Sequence, residues 1–219
     1  MRWDIAILSE PGERENNEDC VAVTSGDAGI CTVLCDGLGG HDAGEVASKC
    51  VCDSVTAAFE KAPEGADIGE LVCELLQNAQ DELMKMQIEL DKQNGMKTTA
   101  CCLLIQDGKT AAAYVGDSRI YQFRKNKVLL RSSDHSIPQY LVNIGEIKER
   151  DIRHHPDRNK LLRVMGSEWE TPRYQRLKLE EPVCGDAFLL CTDGFWEWIE
   201  EKDMERFLKR ASCSEEWLN

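Results

Sequence analysis

The sequence predicts an α+β fold in which antiparallel sheets are covered by helices. Two long segments, 45–59 and 68–94, carry apolar residues at helical spacing. Turn signals at residues 107–108 and 125–126 each separate two short strand-like runs, the pattern of a β-hairpin. Because hairpins join antiparallel strands, long helices between groups of hairpins favour this class over a parallel doubly wound sheet.

The first half of the chain predicts three strands followed by two helices. The strands are expected at 3–8, 21–23 and 30–35, and the last of these is a continuous apolar run. The helices then cover 45–59 and 68–94. Gly95 is a plausible stop for the second helix, since glycine is favoured just beyond a helix C-terminus.

The second half predicts two hairpins, a mixed segment and two further strands. The hairpins pair 98–106 with 109–115 and 120–124 with 127–130, and residues 136–166 are polar with short helical pieces. Strands are expected at 173–179 and 187–192. Near the end, residues 212–215 resemble a capping box that would open a helix at Glu215.

Composition narrows the function classes. A chain of 219 residues fits one domain, and its net charge of −14 disfavours nucleic-acid binding, since phosphate backbones would be repelled. The acidity suits a cation bound by oxygen ligands, although most of these residues are expected to solubilise the surface. No apolar run reaches the 18 residues that a membrane span requires, and no signal peptide is visible.

Eleven cysteines are present without a disulfide, zinc or redox spacing. Most lie in apolar runs, where cysteine behaves as a small hydrophobic residue. Free thiols in this number favour a reducing, cytoplasmic location.

Four acidic motifs are the candidate metal ligands: RENNED at 14–19, DGLGG at 36–40, GDSR at 116–119 and TDG at 192–194. An Asp on a glycine turn is usually only a local bend. Here, however, Asp36 and Asp193 each follow a continuous apolar run, so they would stand at the rim of a core. Several carboxylates meeting there would repel one another unless a cation lay between them. Carboxylates favour Mn or Mg, whereas His and Cys would favour zinc.

The motif set resembles the metal-dependent serine/threonine protein phosphatases of type 2C, in their compact bacterial form. The resemblance rests on RxxNED at 14–19, DGxGG at 36–40, GDSR at 116–119, DHS at 134–136, RxxG at 163–166 and DxxLLCTDG at 186–194. It implies a four-layer αββα sandwich: two antiparallel sheets, flanked by helix pairs, with a metal cleft at one end.

The resemblance also implies roles for individual residues. Asp36 would bridge two Mn²⁺ or Mg²⁺ ions, the Gly37 carbonyl would bind one and Asp193 the other, which makes Asp36 and Asp193 the central catalytic pair. Asp19, supported by Glu18, would contact a metal directly or through water. Asp117 would help Asp193 hold a third, weaker ion, and Arg14 would receive the substrate phosphate.

Structural interpretations stand beside these roles. Asp117 could simply cap its turn. Ion pairing or local hydrogen bonding is expected for Arg119, Asp134 and His135, a turn role for Asp186, surface positions for His154 and His155, and packing for Trp196 and Trp198.

The expected activity is hydrolysis of phosphoserine and phosphothreonine on proteins by a metal-bridging water, opposing a serine/threonine kinase in signalling. The family normally ends with an Asp-Asn motif that leads into a final strand, and nothing after Asp193 matches it. Residues 1–219 are therefore expected to form a single catalytic domain that lacks this strand. The alternative is a catalytically impaired pseudophosphatase that acts as a regulatory binding module.

Overall fold

The computed structural model describes residues 2–39, 43–92 and 95–219. Gly40 of the DGLGG motif and residues 93–94, the end of the predicted second helix, lie outside these ranges. The strands are β1 (Asp19–Gly26), β2 (Gly29–Leu38), β3 (Lys97–Thr98), β4 (Ala100–Gln106), β5 (Lys109–Val115), β6 (Arg119–Arg124), β7 (Lys127–Arg131), β8 (Gln175–Leu177) and β9 (Ala187–Cys191). The helices are α1 (Ala43–Phe59), α2 (Ile68–Glu89), α3 (Ile137–Asn143), α4 (Asp193–Trp196), α5 (Glu201–Leu208) and α6 (Ser214–Leu218), with a 3-10 helix at Glu149–His154.

The strands form two antiparallel sheets. Within the described ranges, the first sheet has the order β1-β2-β4-β5-β8, with β3 paired to the end of β2. The second sheet has the order β7-β6-β9. Both predicted hairpins, β4–β5 and β6–β7, are present.

In the described part of the chain, three apolar clusters separate four layers. Strand β4 contributes side chains to two of these clusters. Its residues Ala100, Cys102 and Leu104 pack toward α1 and α2, whereas Cys101, Leu103 and Ile105 face the second sheet. A third cluster lies beneath the short helices on the far side of β6 and β9. The predicted α+β sandwich is thus confirmed, with a long helix pair on one face and several short helices on the other.

Some predicted elements differ from the structure. Residues 3–8 do not form a strand: Trp3 packs against Phe188, and Asp4 accepts a hydrogen bond from the Ser214 amide. The second helix ends earlier than predicted, with Leu90 as its C-cap. The alternation of apolar residues indicates an extended backbone, but it does not supply a partner strand.

The end of the chain also differs from the prediction. The last helix begins at Ser214 with Cys213 as its N-cap, and Glu216, not Glu215, accepts hydrogen bonds from Ser212. Trp198 is 80% exposed, so the prediction that it packs in the core is wrong.

All eleven cysteines are free, as their spacing predicted. No helix in the ranges that the structure describes has both the length and the apolar character of a membrane span.

Candidate active site

Sheet register alone brings the first two acidic motifs together. Asp19, the first residue of β1, lies directly opposite Asp36 on β2. Directly opposed residues on antiparallel strands have Cβ atoms about 5 Å apart. Leu34 and Val21 belong to the cluster between the sheets, so the two aspartates continue this row of side chains beyond its apolar part. The two carboxylates therefore lie where the core between the sheets ends.

Asp193 reaches the same place from the second sheet. It is the first residue of α4, which follows β9 after Thr192. The Thr192 hydroxyl donates a 2.9 Å hydrogen bond to Asp19 Oδ2. This contact links the end of the second sheet to the start of the first.

Asp117 lies in the turn between β5 and β6 and is 5% exposed. Its backbone carbonyl accepts a 2.9 Å hydrogen bond from Trp196 Nε1. The turn is also tied to Asp36: the hydroxyls of Ser118 and Thr99 are 2.7 Å apart, and Thr99 Oγ1 accepts from the Asp36 amide.

The electrostatics show how closely these carboxylates interact. Burial, together with the charges of Asp193, Asp19 and Asp117, raises the pKa of Asp36 to about 9. Burial also raises the pKa of Asp19, reinforced by Asp193 and opposed by the hydrogen bond from Thr192 and by the charge of Arg14. Burial, followed by the charge of Asp193, raises the pKa of Asp117 as well. Each carboxylate is therefore costly to ionise without a compensating cation.

Arg14 is exposed at the rim of this cluster. A cleft of about 320 Å³ is lined by Arg14, Glu18, Asp19, Asp36 and Asp193. The Arg14 guanidinium thus faces the same cleft as the carboxylates. This arrangement suits an anion that contacts the guanidinium on one side and a carboxylate-bound cation on the other.

Gly37 and Glu18 meet the start of α1. A Cβ on Gly37 would lie 2.3 Å from the Gly44 carbonyl oxygen, so only glycine fits there. A Cβ on Gly44 would lie 2.9 Å from Glu18 Oε2, which places the Glu18 carboxylate against the first turn of α1. The positive end of the helix dipole favours an anion at this position.

The donor set suits hard divalent cations because it consists of carboxylate oxygens. In the described ranges, no group of three or more acidic, histidine or cysteine side chains is arranged as a metal site. The raised pKa values of Asp36, Asp19 and Asp117, each with the charge of Asp193 among its causes, nevertheless show a repulsion that a cation would remove. On donor chemistry and charge, the residues fit Mn²⁺ or Mg²⁺.

Other polar residues from the motifs have structural roles. Arg119 forms a two-point ion pair with Asp134, at 2.8 and 2.6 Å, and both side chains are 1% exposed. His135 accepts a hydrogen bond from the Gly116 amide, and Asp186 binds Arg124. Trp196 is buried, as expected for packing.

Sequence reasoning did not find Thr192, Thr99 and Ser118 as contacts of the acidic cluster. Thr192 is part of the TDG motif, but a threonine before an aspartate carries no signal of its own. Its partner, Asp19, is 173 residues away in sequence, so only the fold reveals the contact.

Comparisons with known proteins identify the family of this chain. The family model described as "Protein phosphatase 2C" matches residues 12–216. The chain belongs to the protein phosphatase 2C family. The motif positions that carry the resemblance, from Arg14 to Gly194, fall inside the matched region.

Individual relatives support the same class. The "Serine/threonine phosphatase stp" of Listeria welshimeri is 31% identical over 208 residues, which cover 92% of this chain and 81% of that protein. A crystal structure titled "bacterial serine phosphatase" has a TM-score of 0.83 at 28% identity, covering 96% of this chain and 86% of the other. The predicted enzyme class, a protein-serine/threonine phosphatase, is confirmed.

A third relative bears on the metals. The catalytic domain of "serine threonine protein phosphatase PstP", solved in complex with two manganese ions, has a TM-score of 0.77 at 27% identity and covers 94% of this chain and 83% of that one. These comparisons name phosphatases, and they give no support to the non-catalytic alternative.

Proposed function

We propose that this protein phosphatase 2C hydrolyses phosphoserine and phosphothreonine on proteins with the help of two Mn²⁺ or Mg²⁺ ions, and that it opposes a serine/threonine kinase. Residues 1–219 would act as one catalytic domain. The observation that carries the proposal is the meeting of Asp36 with Asp19 and Asp193 in a cleft that Arg14 also lines, with the charge of the buried Asp117 acting on Asp36 as well.

Asp36 would be shared by the two ions, with Asp193 and the Gly37 carbonyl as further ligands. Asp19 would contact one ion directly or through water, with Glu18 held behind it against α1. Asp117 and Asp193 together would hold a third, weaker ion. When bound, such ions polarise a phosphate monoester and lower the pKa of a bound water that can attack it.

Arg14 would bind the phosphate of the substrate. Its planar guanidinium can donate two parallel hydrogen bonds to phosphate oxygens. Because its charge also acts on Asp19, the phosphate would be held next to the carboxylate cluster. The exposed position of Arg14 suits a phosphorylated segment of another protein, which must approach from solvent.

The test is Asp36→Asn. The substitution keeps the size of the side chain and removes the charge that both ions would share. With saturating Mn²⁺ we expect kcat/KM for a phosphothreonine peptide to fall by about 100-fold or more, since metal ions contribute several kcal/mol of transition-state stabilisation. Asp53→Asn, on the exposed side of α1, is the matched control. Near-normal turnover by the Asp36 variant would show that the cluster does not carry the activity.

A further inference from the structure

We propose that residues 192–196 form a clamp that positions the carboxylates of Asp19 and Asp117 relative to Asp193. The clamp consists of two hydrogen bonds, one from Thr192 and one from Trp196, on either side of Asp193. The inference rests on the proposed function, because it concerns residues that would hold the metals. Thr192 and Trp196 are positioning residues: they act through the carboxylates and not on the substrate.

Thr192 fixes Asp19 directly. Its hydroxyl lies 2.9 Å from Asp19 Oδ2, and the threonine is 9% exposed. A carboxylate with one oxygen held by a fixed donor loses its freedom to rotate about χ2, which is otherwise broad. The hydroxyl therefore fixes the orientation of the Asp19 carboxylate, which lies across the strand pair from Asp36.

Trp196 fixes the turn that carries Asp117. Its Nε1–H donates to the Asp117 carbonyl at 2.9 Å, and the side chain is 1% exposed. The Arg119 guanidinium carbon lies 3.5 Å from the centroid of the indole ring, and Arg119 is itself held by Asp134. A ring stacked on a buried, ion-paired guanidinium has little freedom, so the N–H direction is fixed.

The two bonds have a common origin, and this makes them a clamp. Both come from the short segment that begins α4 and contains Asp193. Asp19 lies on the first sheet, and Asp117 lies in a turn between the sheets. The segment thus connects three carboxylates that the chain sequence keeps far apart. Residues that hold ligands in place typically contribute 10- to 100-fold to metal affinity.

The first test uses Thr192→Val, which is nearly isosteric but lacks the hydroxyl. Calorimetric titration of the metal-free protein should show Mn²⁺ affinity about 10-fold weaker than wild type. Thr24→Val is the matched control: Thr24 lies at the other end of β1, and its hydroxyl also donates to a carboxylate, that of Glu60 at 3.0 Å. Thr192→Ser restores the hydroxyl and should recover the affinity. The KM for a phosphopeptide should not change, because Arg14 is untouched.

The second test uses Trp196→Phe, which keeps an aromatic ring beside Arg119 but removes the N–H. Electron paramagnetic resonance, which measures free Mn²⁺, should show that the weaker third ion binds about 10-fold less tightly than in wild type. Trp217→Phe is the matched control, since the Trp217 indole donates to the Met204 carbonyl at 3.0 Å within the same apolar cluster, away from the carboxylates.

The outcomes separate the clamp from the proposed function. If wild type binds no Mn²⁺, both ideas fall. If wild type binds Mn²⁺ and Thr192→Val and Trp196→Phe lose only folding stability, with the Mn²⁺ affinity of the folded protein unchanged, the clamp is wrong and the proposed function stands. The clamp would also be wrong if Thr192→Ser bound Mn²⁺ as weakly as Thr192→Val does. The clamp is supported if Thr192→Val and Trp196→Phe bind Mn²⁺ more weakly than wild type, the two control variants do not, and Thr192→Ser recovers the wild-type affinity.

Discussion

At the scale of single residues, Arg14 is the sharpest test of substrate recognition. Its side chain lines the cleft but supplies no metal ligand, so Arg14→Ala should raise the KM for a phosphopeptide by about 10- to 100-fold, the value of a charged hydrogen bond worth 1.5–3 kcal/mol. Steady-state kinetics with a phosphoserine peptide and calorimetric Mn²⁺ titration measure the two effects separately.

Arg150→Ala is the control for the loss of a surface charge, since Arg150 is mostly exposed and far along the chain in the 3-10 helix. A large loss of Mn²⁺ affinity at unchanged KM would place Arg14 in the scaffold of the metal site and not in phosphate binding.

His135 leads to a prediction about pH. Its Nδ1 accepts a hydrogen bond from the Gly116 amide at 3.1 Å, so the folded state needs the ring neutral. Burial lowers its pKa below the ordinary value of about 6.5; the hydrogen bond with Gln175 and the charge of Asp134 oppose this shift, and the charge of Arg163 adds to it. As the pH falls below about 6.5, His135 is protonated more readily in the unfolded chain than in the folded one. The contribution of His135 to the free energy of unfolding is therefore lost as the pH falls.

The test compares wild type with His135→Asn, whose amide oxygen can still accept from Gly116 but cannot titrate. Between pH 7 and 5, wild type should lose more unfolding free energy than the variant, by at most about 1.4 kcal/mol per pH unit. Urea titrations at each pH measure this difference. Parallel stability curves would mean that protonation of His135 is not linked to folding.

At the scale of elements, the two hairpins use turns of different quality. Asp107 and Gly108 have φ values of 48° and 78°, and Lys125 and Asn126 have φ values of 52° and 59°. Positive φ at both central positions is the type I′ pattern, which favours Asn-Gly or Asp-Gly and disfavours lysine. Changing Lys125→Asn together with Asn126→Gly should therefore stabilise the protein by about 1 kcal/mol.

Transplanting the poorer turn is the matched control. Asp107→Lys with Gly108→Asn should destabilise the β4–β5 hairpin by a similar amount, and a Cβ at Gly108 meets no atom within 4 Å, so no clash contributes. Urea unfolding of the two double variants measures both changes. Changes of the same sign in the two hairpins would contradict the assignment of turn strain.

The elements also show how far the sequence could lead. Turn residues and apolar periodicity are local, and they predicted both hairpins, α1, most of α2 and β9. The predictions that were wrong depend on contacts between segments that are distant in sequence. Residues 3–8 have strand-like composition, but Trp3 packs on Phe188 instead of joining a sheet. Trp198 is apolar yet points to solvent, while Trp196, two residues earlier, is buried.

In the candidate site, too, some residues could be predicted from local sequence and others only from the fold. Aspartates that follow buried strands are expected at the rim of a core, and this brought Asp36 and Asp193 together from sequence. The role of Thr192 could not be predicted, because its hydroxyl meets Asp19 only once both sheets are packed. Metal ligands have a local signature in their strand and turn context, whereas the residues that orient them are defined by contacts between distant segments.

At the scale of the whole molecule, the carboxylate cluster joins the two sheets at the end of their shared core. Asp19 and Asp36 belong to the first sheet, and Asp193 follows the last strand of the second. Without a cation, an ionised Asp36 is costly at this junction, because burial and the charges of its neighbours raise its pKa to about 9. A bound cation would reverse this effect, so metal binding and global stability should be coupled.

We therefore predict that Mn²⁺ stabilises the folded chain as a unit. At a free Mn²⁺ concentration 100 times Kd, the stabilisation should be about 2.7 kcal/mol for one site, which for a chain of this size corresponds to about 5–10 °C in Tm. Removing the metal with a chelator should return Tm to its starting value. Without metal, Asp36→Asn should be about as stable as wild type, because the raised pKa of Asp36 keeps that residue protonated and neutral near pH 7, but the variant should gain less than half of the Mn²⁺ stabilisation.

Thermal unfolding followed by circular dichroism, with and without Mn²⁺, measures all four states. An equal Mn²⁺ shift in wild type and Asp36→Asn would mean that the ions bind elsewhere, and a wild-type Tm that ignores Mn²⁺ would mean that the cluster does not couple the sheets through a cation.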